Sequence, residues 1–396
     1  MEFQKDLEGF RRYLYDQIDW SQRLIAIVGA RGCGKTTLVL QHYLKDINDP
    51  KRCLYISADS PLVYQSSLYE IGSHFFMGGG EIFIVDEVHK QENWSLDIKA
   101  LYDSFPGKKM VILGSSKLNL LGQKGDLSRR MLIYHLKGLS FREYLAIKKG
   151  LSMTPVSFSE LLKNHTDMSR ELLRDHPAIL QDFSSFCSHG HYPFTLDIQP
   201  EQYYQLLQGT LDKVIYEDLP SLSPLRSSSF PKLKRLMAYI AQRTVPTFQI
   251  AGMTNELDIS KDTLYEYMDI LDRAELLNIV PKRHDKKSSL KNAKVFFASP
   301  NTYFTLAEQQ WKHHPEKGNL REAFFASQLQ NIVPCFTSSK LDFEVEDGGS
   351  IYEIEIGGIN KKNRQTRDIE QAYIFKEGLD VGGGSHIPLY LAGMLY

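Results

Sequence analysis

The stretch LIAIVGARGCGKTT, Leu24 to Thr37, decides the fold. Leu24, Ile25, Ala26, Ile27 and Val28 form an unbroken apolar run, the pattern of a strand buried on both faces. Gly29, Ala30, Arg31, Gly32, Cys33, Gly34, Lys35 and Thr36 then match the phosphate-binding loop G-x-x-x-x-G-K-[ST] in full. Thr37, Leu38, Val39, Leu40, Gln41, His42 and Tyr43 read as the opening of a helix. Glycines let a backbone wrap a phosphate and point successive N–H groups at its oxygens, and a following helix adds its unpaired amino-terminal amides. In this order Lys35 is the candidate for the β- and γ-phosphates and the Thr36 hydroxyl the candidate for Mg²⁺.

A second signal lies about 50 residues on, in EIFIVDE, Glu81 to Glu87. Ile82, Phe83, Ile84 and Val85 form another buried strand that delivers Asp86 and Glu87 to its carboxyl end, where open α/β sheets place their ligands. Asp86 is expected to help hold the Mg²⁺ bound at Thr36, and Glu87 to polarise an attacking water. His89, close by, is expected at the surface or in a hydrogen bond. A further apolar strand, KKMVILGSS from Lys108 to Ser116, ends in Ser115 and Ser116, either of which is a candidate polar sensor of the γ-phosphate. DLSRR, Asp126 to Arg130, puts two guanidiniums, Arg129 and Arg130, before the short run Met131–Tyr134. Without N-K-x-D, guanine has no usual reader, so ATP is the expected nucleotide.

Around this core the chain is ordinary in composition. Of 396 residues, 42% are hydrophobic and 24% charged, and the formal net charge is -1. That length implies two or three domains, and that balance gives no global field for nucleic acid. The four cysteines are scattered with no C-x-x-C spacing, which argues against structural zinc or a disulfide scaffold and for a reducing, cytoplasmic compartment. No apolar run approaches the roughly 18 residues of a membrane span.

Residues 1 to 23 read as a short amphipathic helix, with Phe10, Tyr13, Leu14 and Ile18 inward and Arg11, Arg12 and Asp16 outward. Trp20 sits where an adenine often packs, with a core role as the alternative. Ser140 and Glu143 in LSFREYLA spell a capping box, and that helix is expected to close a nucleotide domain over 1–150. A helical linker and a winged helix are expected over 151–300. The latter rests on the helix–turn–helix pattern of 254–271, the strand Glu275–Ile279 and the basic loop holding Lys282, Arg283, Lys286, Lys287, Lys291 and Lys294. That loop is able to touch a phosphate backbone, or to serve as a solvated hairpin on a protein-contact module. Asp262, Glu266 and Asp269 on the second helix oppose base reading. Residues 301–396 are expected to form an α/β domain with two alternating strands. There Asp342 can face Glu353 or Glu355, as in metal-dependent nucleases, but the first lysines after Glu355 are Lys361 and Lys362.

Together these features resemble the bacterial and archaeal AAA-type ATPases (AAA_14/DUF4143-like) that join an ATPase domain, a winged helix and a tail of nuclease-like topology and unknown role. The resemblance rests on GARGCGKT, IFIVDE, LGSS, SRR with LKGLSFREYL, and in the tail NLREAFFASQL, LDFEV, YEIEIGG and IPLYLAGMLY. It implies a P-loop parallel sheet followed by a winged helix and a restriction-endonuclease-like α/β domain. It also implies Arg130 as the γ-phosphate arginine, acting within the subunit or on a neighbour, and Ser115 or Ser116 as the sensor. Where members often carry a lysine after the glycine pair of the tail, this chain has Ile359.

Three functions follow as expectations. They are Mg²⁺-dependent ATP hydrolysis driving a conformational change on a client, a slow ATP-dependent switch or scaffold holding a protein partner, and a DNA-directed ATPase or nuclease. A nucleotide, a protein client or self-association are the expected partners; nucleic acid rests on the basic loop alone, and no membrane is expected.

Overall fold

The structure is a computed structural model that describes residues 9–45, 50–61, 63, 65–114, 127, 129–196, 198–222, 225–242, 250–285, 290, 292–310, 315–330, 332–362 and 365–396. Two compact units make up the chain. One combines Met1–Gly138 with Glu217–Pro224; the other combines Leu139–Tyr216 with Leu225–Tyr396.

The first unit is built on five parallel strands: β1 (Leu24–Val28), β2 (Cys53–Ser57), β3 (Ile82–Asp86), β4 (Lys109–Gly114) and β5 (Leu132–His135). Their order is β2-β3-β4-β1-β5. Parallel strands need crossovers, so both sheet faces are covered and the strands carry apolar residues throughout. Leu24, Ala26 and Val28 pack with Phe83, Val85, Met110 and Ile112 under Trp94, Ile98 and Leu101 of the helix Trp94–Ser104. Ile25, Ile27, Ile84, Val111 and Leu113 face the other way, onto Leu38, Val39 and Tyr43 of the helix Lys35–Lys45. The alternation is the period of two that a strand imposes. Because β4 lies between β1 and β3, both candidate motifs leave the same carboxyl edge of the sheet.

Two expectations near the amino end change. In place of an amphipathic helix, the described part of the segment holds only a 3-10 turn, Tyr13–Gln17. Arg12 is buried, not solvent-facing. Trp20 stacks on His42, with ring centroids 4.0 Å apart and planes 11° from parallel, and its indole N–H donates to the Tyr15 carbonyl at 2.9 Å.

The second unit begins with the helix Phe141–Lys149, so the helix expected to close the nucleotide domain lies in the other unit. Its capping box is present, Ser140 accepting from Glu143 N at 3.1 Å and Glu143 accepting from Ser140 N at 3.2 Å. Helices Phe158–Asp175, Ile179–His189 and Pro200–Lys213 follow. Helices Ser229–Gln242, Ile250–Leu257 and Lys261–Arg273 then lead into an antiparallel ribbon of β6 (Leu277–Val280) and β7 (Lys294–Phe297). Helices Pro300–Gln310 and Lys317–Leu329 precede a second five-stranded sheet. Its strands are β8 (Cys335–Thr337), β9 (Phe343–Asp347), β10 (Ser350–Gly358), β11 (Ala372–Glu377) and β12 (His386–Pro388), ordered β12-β11-β10-β9-β8. β8, β9 and β10 are antiparallel neighbours, whereas β10, β11 and β12 run parallel. Gly348 and Gly349 turn the β9–β10 hairpin in the left-handed region.

Candidate nucleotide site

The loop after β1 is held open by its glycines and fixed from below by an arginine. Gly32 and Gly34 have φ of +82° and +97°, which side chains disfavour. Lys35 opens the helix Lys35–Lys45, with Thr36 and Thr37 in its first turn. The Lys35 ammonium is buried and donates to the carbonyls of Gly29 at 2.8 Å and Ala30 at 3.0 Å. Arg12 donates to the carbonyls of Cys33, Lys137 (2.8 Å) and Gly138 (2.9 Å), tying the loop to the chain beyond β5. A helical reading of 1–23 placed Arg12 outside, so its role escaped the sequence.

β3 delivers its acids as expected. Thr36 Oγ1 donates to Asp86 Oδ2 at 2.6 Å, across 50 positions of sequence. Tyr55 donates to the same oxygen at 2.9 Å. Burial, and then the Asp86 charge, push the Tyr55 phenol well above its ordinary value, so it stays a donor. A hydroxyl beside a carboxylate is the hard-oxygen pair that Mg²⁺ takes from protein, leaving its other positions to water and phosphate. The residues therefore fit the ion.

Glu87 follows in the left-handed region at φ +48°, a conformation that costs about 1–3 kcal/mol and clusters at functional sites. Its amide donates to Asp86 Oδ1 at 2.8 Å. Arg31 stands 3.8 Å and His89 3.5 Å from its carboxylate. Glu87 Oε2 and both ring nitrogens of His89 are buried with no hydrogen-bond partner among the described residues. The His89 side chain is only 2% exposed, against the expected surface position.

One site residue carried no sequence signal. Asp218, 4% exposed, accepts from Arg31 Nη1 at 3.1 and 3.2 Å and has Lys90 at 3.7 Å and His89 at 3.9 Å. Burial pushes its carboxyl up, but His89, Arg31 and Lys90 outweigh that and hold it below the usual range.

Arg129 and Arg130 do not join this cluster. Arg130 pairs with Asp103 at 3.1 Å just before β5. The register sets Leu132 beside Ile25 and His135 beside Val28, so Arg130 stands at the amino edge of the sheet. The phosphate loop leaves the opposite edge, a strand length of about 15 Å away. Arg129 is exposed beside it. Ser115 and Ser116 lie outside the described residues.

In the second unit the tail acids meet lysines. Lys294 Nζ donates to Glu322 at 2.7 Å and Asp342 at 2.8 Å, and Lys361 pairs with Glu355. Glu353 accepts from the Ser338 hydroxyl at 2.6 Å, while Glu344 takes Arg283 at 2.9 Å. Burial, opposed by Lys294 and abetted by Asp342 and Glu355, raises Glu322 to about 7. No group of three or more metal-ligating side chains able to hold an ion exists among the described residues. Of the basic loop, Arg283 is paired with Glu344 and Glu346, and Lys294 with Glu322 and Asp342. Lys286, Lys287 and Lys291 lie outside the described residues.

Comparison with known proteins agrees with the first unit. Residues 21–145, which hold the phosphate loop and the five parallel strands, match a family model described as an AAA domain. Residues 180–308 match a model described as a domain of unknown function (DUF8612), a different domain from the DUF4143-like one expected. An uncharacterized protein of Methanocaldococcus jannaschii is 28% identical over 390 residues, spanning 91% of this chain and 81% of that one. Among solved structures, AMPPCP-bound DnaA from Aquifex aeolicus is 13% identical, covering 65% of this chain and 84% of its own, with a TM-score of 0.27. Drosophila ORC bound to DNA is 13% identical over 71% of this chain and 89% of its own, with a TM-score of 0.24. At such scores these two carry no argument about this chain. No helix of the described residues is long and apolar enough to cross a membrane.

Proposed function

We propose that the protein binds ATP with Mg²⁺ and hydrolyses it, using the energy for a conformational change on a client. The observation that carries this reading is the 2.6 Å hydrogen bond from Thr36 of the loop to Asp86 of β3, with Glu87 one residue further. Loop amides and Lys35 hold the phosphates; Thr36 and Asp86 hold the ion, which neutralises phosphate charge when bound. Glu87 takes the proton of the attacking water. To engage phosphate, Lys35 exchanges its bonds to the Gly29 and Ala30 carbonyls for phosphate oxygens. Free, scattered thiols are in keeping with a cytoplasmic setting. The test is ATP turnover and ATP binding by the wild type, Lys35→Ala and Glu87→Gln. We expect Lys35→Ala to lose both and Glu87→Gln to lose turnover while still binding. Unchanged turnover in Glu87→Gln would remove Glu87 from the chemistry.

A slow switch is the second reading, favoured by the strained Glu87 backbone and by Arg31 and His89 beside its carboxylate. Both hold the glutamate away from a free base's role until something moves them. The helix–turn–helix and β6–β7 ribbon support a winged helix used for protein contact rather than DNA. Its Arg283 and Lys294 already serve carboxylates of the same unit, which leaves them without charge to offer a phosphate backbone. Asp342 and Glu355 are lysine-bound, and Glu344 and Glu353 are held by Arg283 and Ser338, which favours a structural role for the second sheet.

A further inference from the structure

We propose that Asp218 is a nucleotide-sensing latch, an internal anion that holds the phosphate-loop residue Arg31 until the phosphates of bound ATP take that cation over. The proposal rests on the nucleotide-binding reading above.

Arg31 lies inside the loop, between Gly29 and Lys35. One guanidinium nitrogen, Nη1, donates to both Asp218 oxygens, at 3.1 and 3.2 Å, a charge-assisted contact of the kind arginine also makes to phosphate oxygens. Lys90 at 3.7 Å and His89 at 3.9 Å stand beside the same carboxylate. A carboxylate 4% exposed is stable only while such partners remain, because an unpaired buried charge is strongly unfavourable. Phosphates arriving in the loop bring several negative charges to the cations Asp218 occupies. Two anions then compete for one guanidinium, and the more highly charged one wins it.

The chain around Asp218 is placed to report that exchange. Glu217–Pro224 belongs to the first unit, while the residues on both sides of it, up to Tyr216 and from Leu225, belong to the second. Asp218 is the last residue of a π-helical turn, Val214–Asp218, that continues the regular helix Pro200–Lys213. Such turns are costly and concentrate at functional sites. Losing Arg31 as a partner therefore frees a stretch whose flanking chain on both sides runs into the second unit.

The test uses the full chain and reads two quantities: affinity for a fluorescent ATP analogue with Mg²⁺, and hydrogen exchange across residues 217–222 with and without ATP. We expect ATP to speed exchange in the wild type. In Asp218→Asn exchange is already fast without nucleotide, and ATP binds about tenfold more tightly, an effect a merely loosened structure does not produce. Asp218→Glu keeps slow exchange, and Arg31→Gln frees the segment from the other side of the pair. Equal or weaker ATP binding by Asp218→Asn overturns the latch, as does wild-type exchange that ATP leaves unchanged. If ATP binds and Lys35→Ala abolishes it while Asp218→Asn behaves as wild type, only the latch falls. If the wild type binds no ATP at all, the nucleotide reading falls and takes the latch with it.

Discussion

Replacing Lys294 by methionine isolates the electrostatics of the second sheet. The substitution keeps most of the apolar stem and removes one ammonium that serves two carboxylates, Glu322 at 2.7 Å and Asp342 at 2.8 Å, at a site where the lysine is 12% exposed. Breaking a buried ion pair leaves an uncompensated charge and typically costs about 3–5 kcal/mol. One lysine shared by two acids, with Glu355 also near, sets the lower end, so about 3 kcal/mol is expected at pH 8. The pH dependence has a definite sign. Glu322 titrates near 7 in the folded chain against an ordinary 4.5. A carboxyl raised in this way contributes stability below pH 4.5 that is lost as pH rises through its folded value. Removing Lys294 takes away the influence that lowers it, so the folded value climbs further. At pH 5.5 Glu322 is protonated in both chains, and the proton the variant keeps between pH 7 and 8 is worth about 1.4 kcal/mol at most, so the deficit shrinks to about 2 kcal/mol. Urea unfolding followed by far-UV circular dichroism at both pH values reads the difference, and hydrogen exchange across β9 and β10 reads it locally. A deficit of the same size at pH 5.5 and 8, or one under about 1 kcal/mol at pH 8, would refute the reasoning.

Three further outcomes follow from the geometry. Arg12→Ala strands the Cys33, Lys137 and Gly138 carbonyls beneath the loop, so ATP affinity should drop by tenfold or more, about 1.4 kcal/mol, with secondary structure retained; titration with a fluorescent analogue decides it. Gly34→Ala forces a side chain into φ +97° and should abolish nucleotide binding without unfolding the sheet, and tight binding by the variant would mean the loop backbone is not the phosphate cradle. Ser140→Ala removes a helix cap that also donates to the buried main-chain oxygen of Tyr396 at 2.5 Å. It should lower the stability of the second unit by about 1–2 kcal/mol in urea, and a loss under about 0.5 kcal/mol would show the cap to be redundant.

Sequence and structure agree on placement where chemistry forces consecutive residues into order. The phosphate loop, Asp86 and Glu87 are readable because a buried strand announces its own end and the loop follows a fixed spacing. The capping box at Ser140 is local in the same way. Sequence reading failed where a residue's meaning comes from distant chain. Arg12 looks like a solvent-facing helical arginine until the loop carbonyls 21 and about 125 residues away are known. Asp218 is an acid among acids, 187 residues from Arg31. Arg283 and Lys294 read as free positive charge because nothing local reveals that Glu344, Glu346, Glu322 and Asp342 come round to meet them. Arg130 shows the same limit from the other side. Its spacing suits a phosphate contact, but the parallel register of β5 carries it to the far edge of its own sheet.

The return of Glu217–Pro224 to the first unit also sets a timetable. Gly138 is synthesised about 80 residues before Asp218, an interval of roughly 4–16 s at ordinary elongation rates. Through that interval the five strands can assemble, since all their residues have been made, while Arg31 has no Asp218 to meet. The nascent five-stranded sheet is therefore a different electrostatic object from the finished one, with Arg31 beside Glu87 alone and one acid fewer at its loop. A truncated chain ending at 138 preserves that early object permanently.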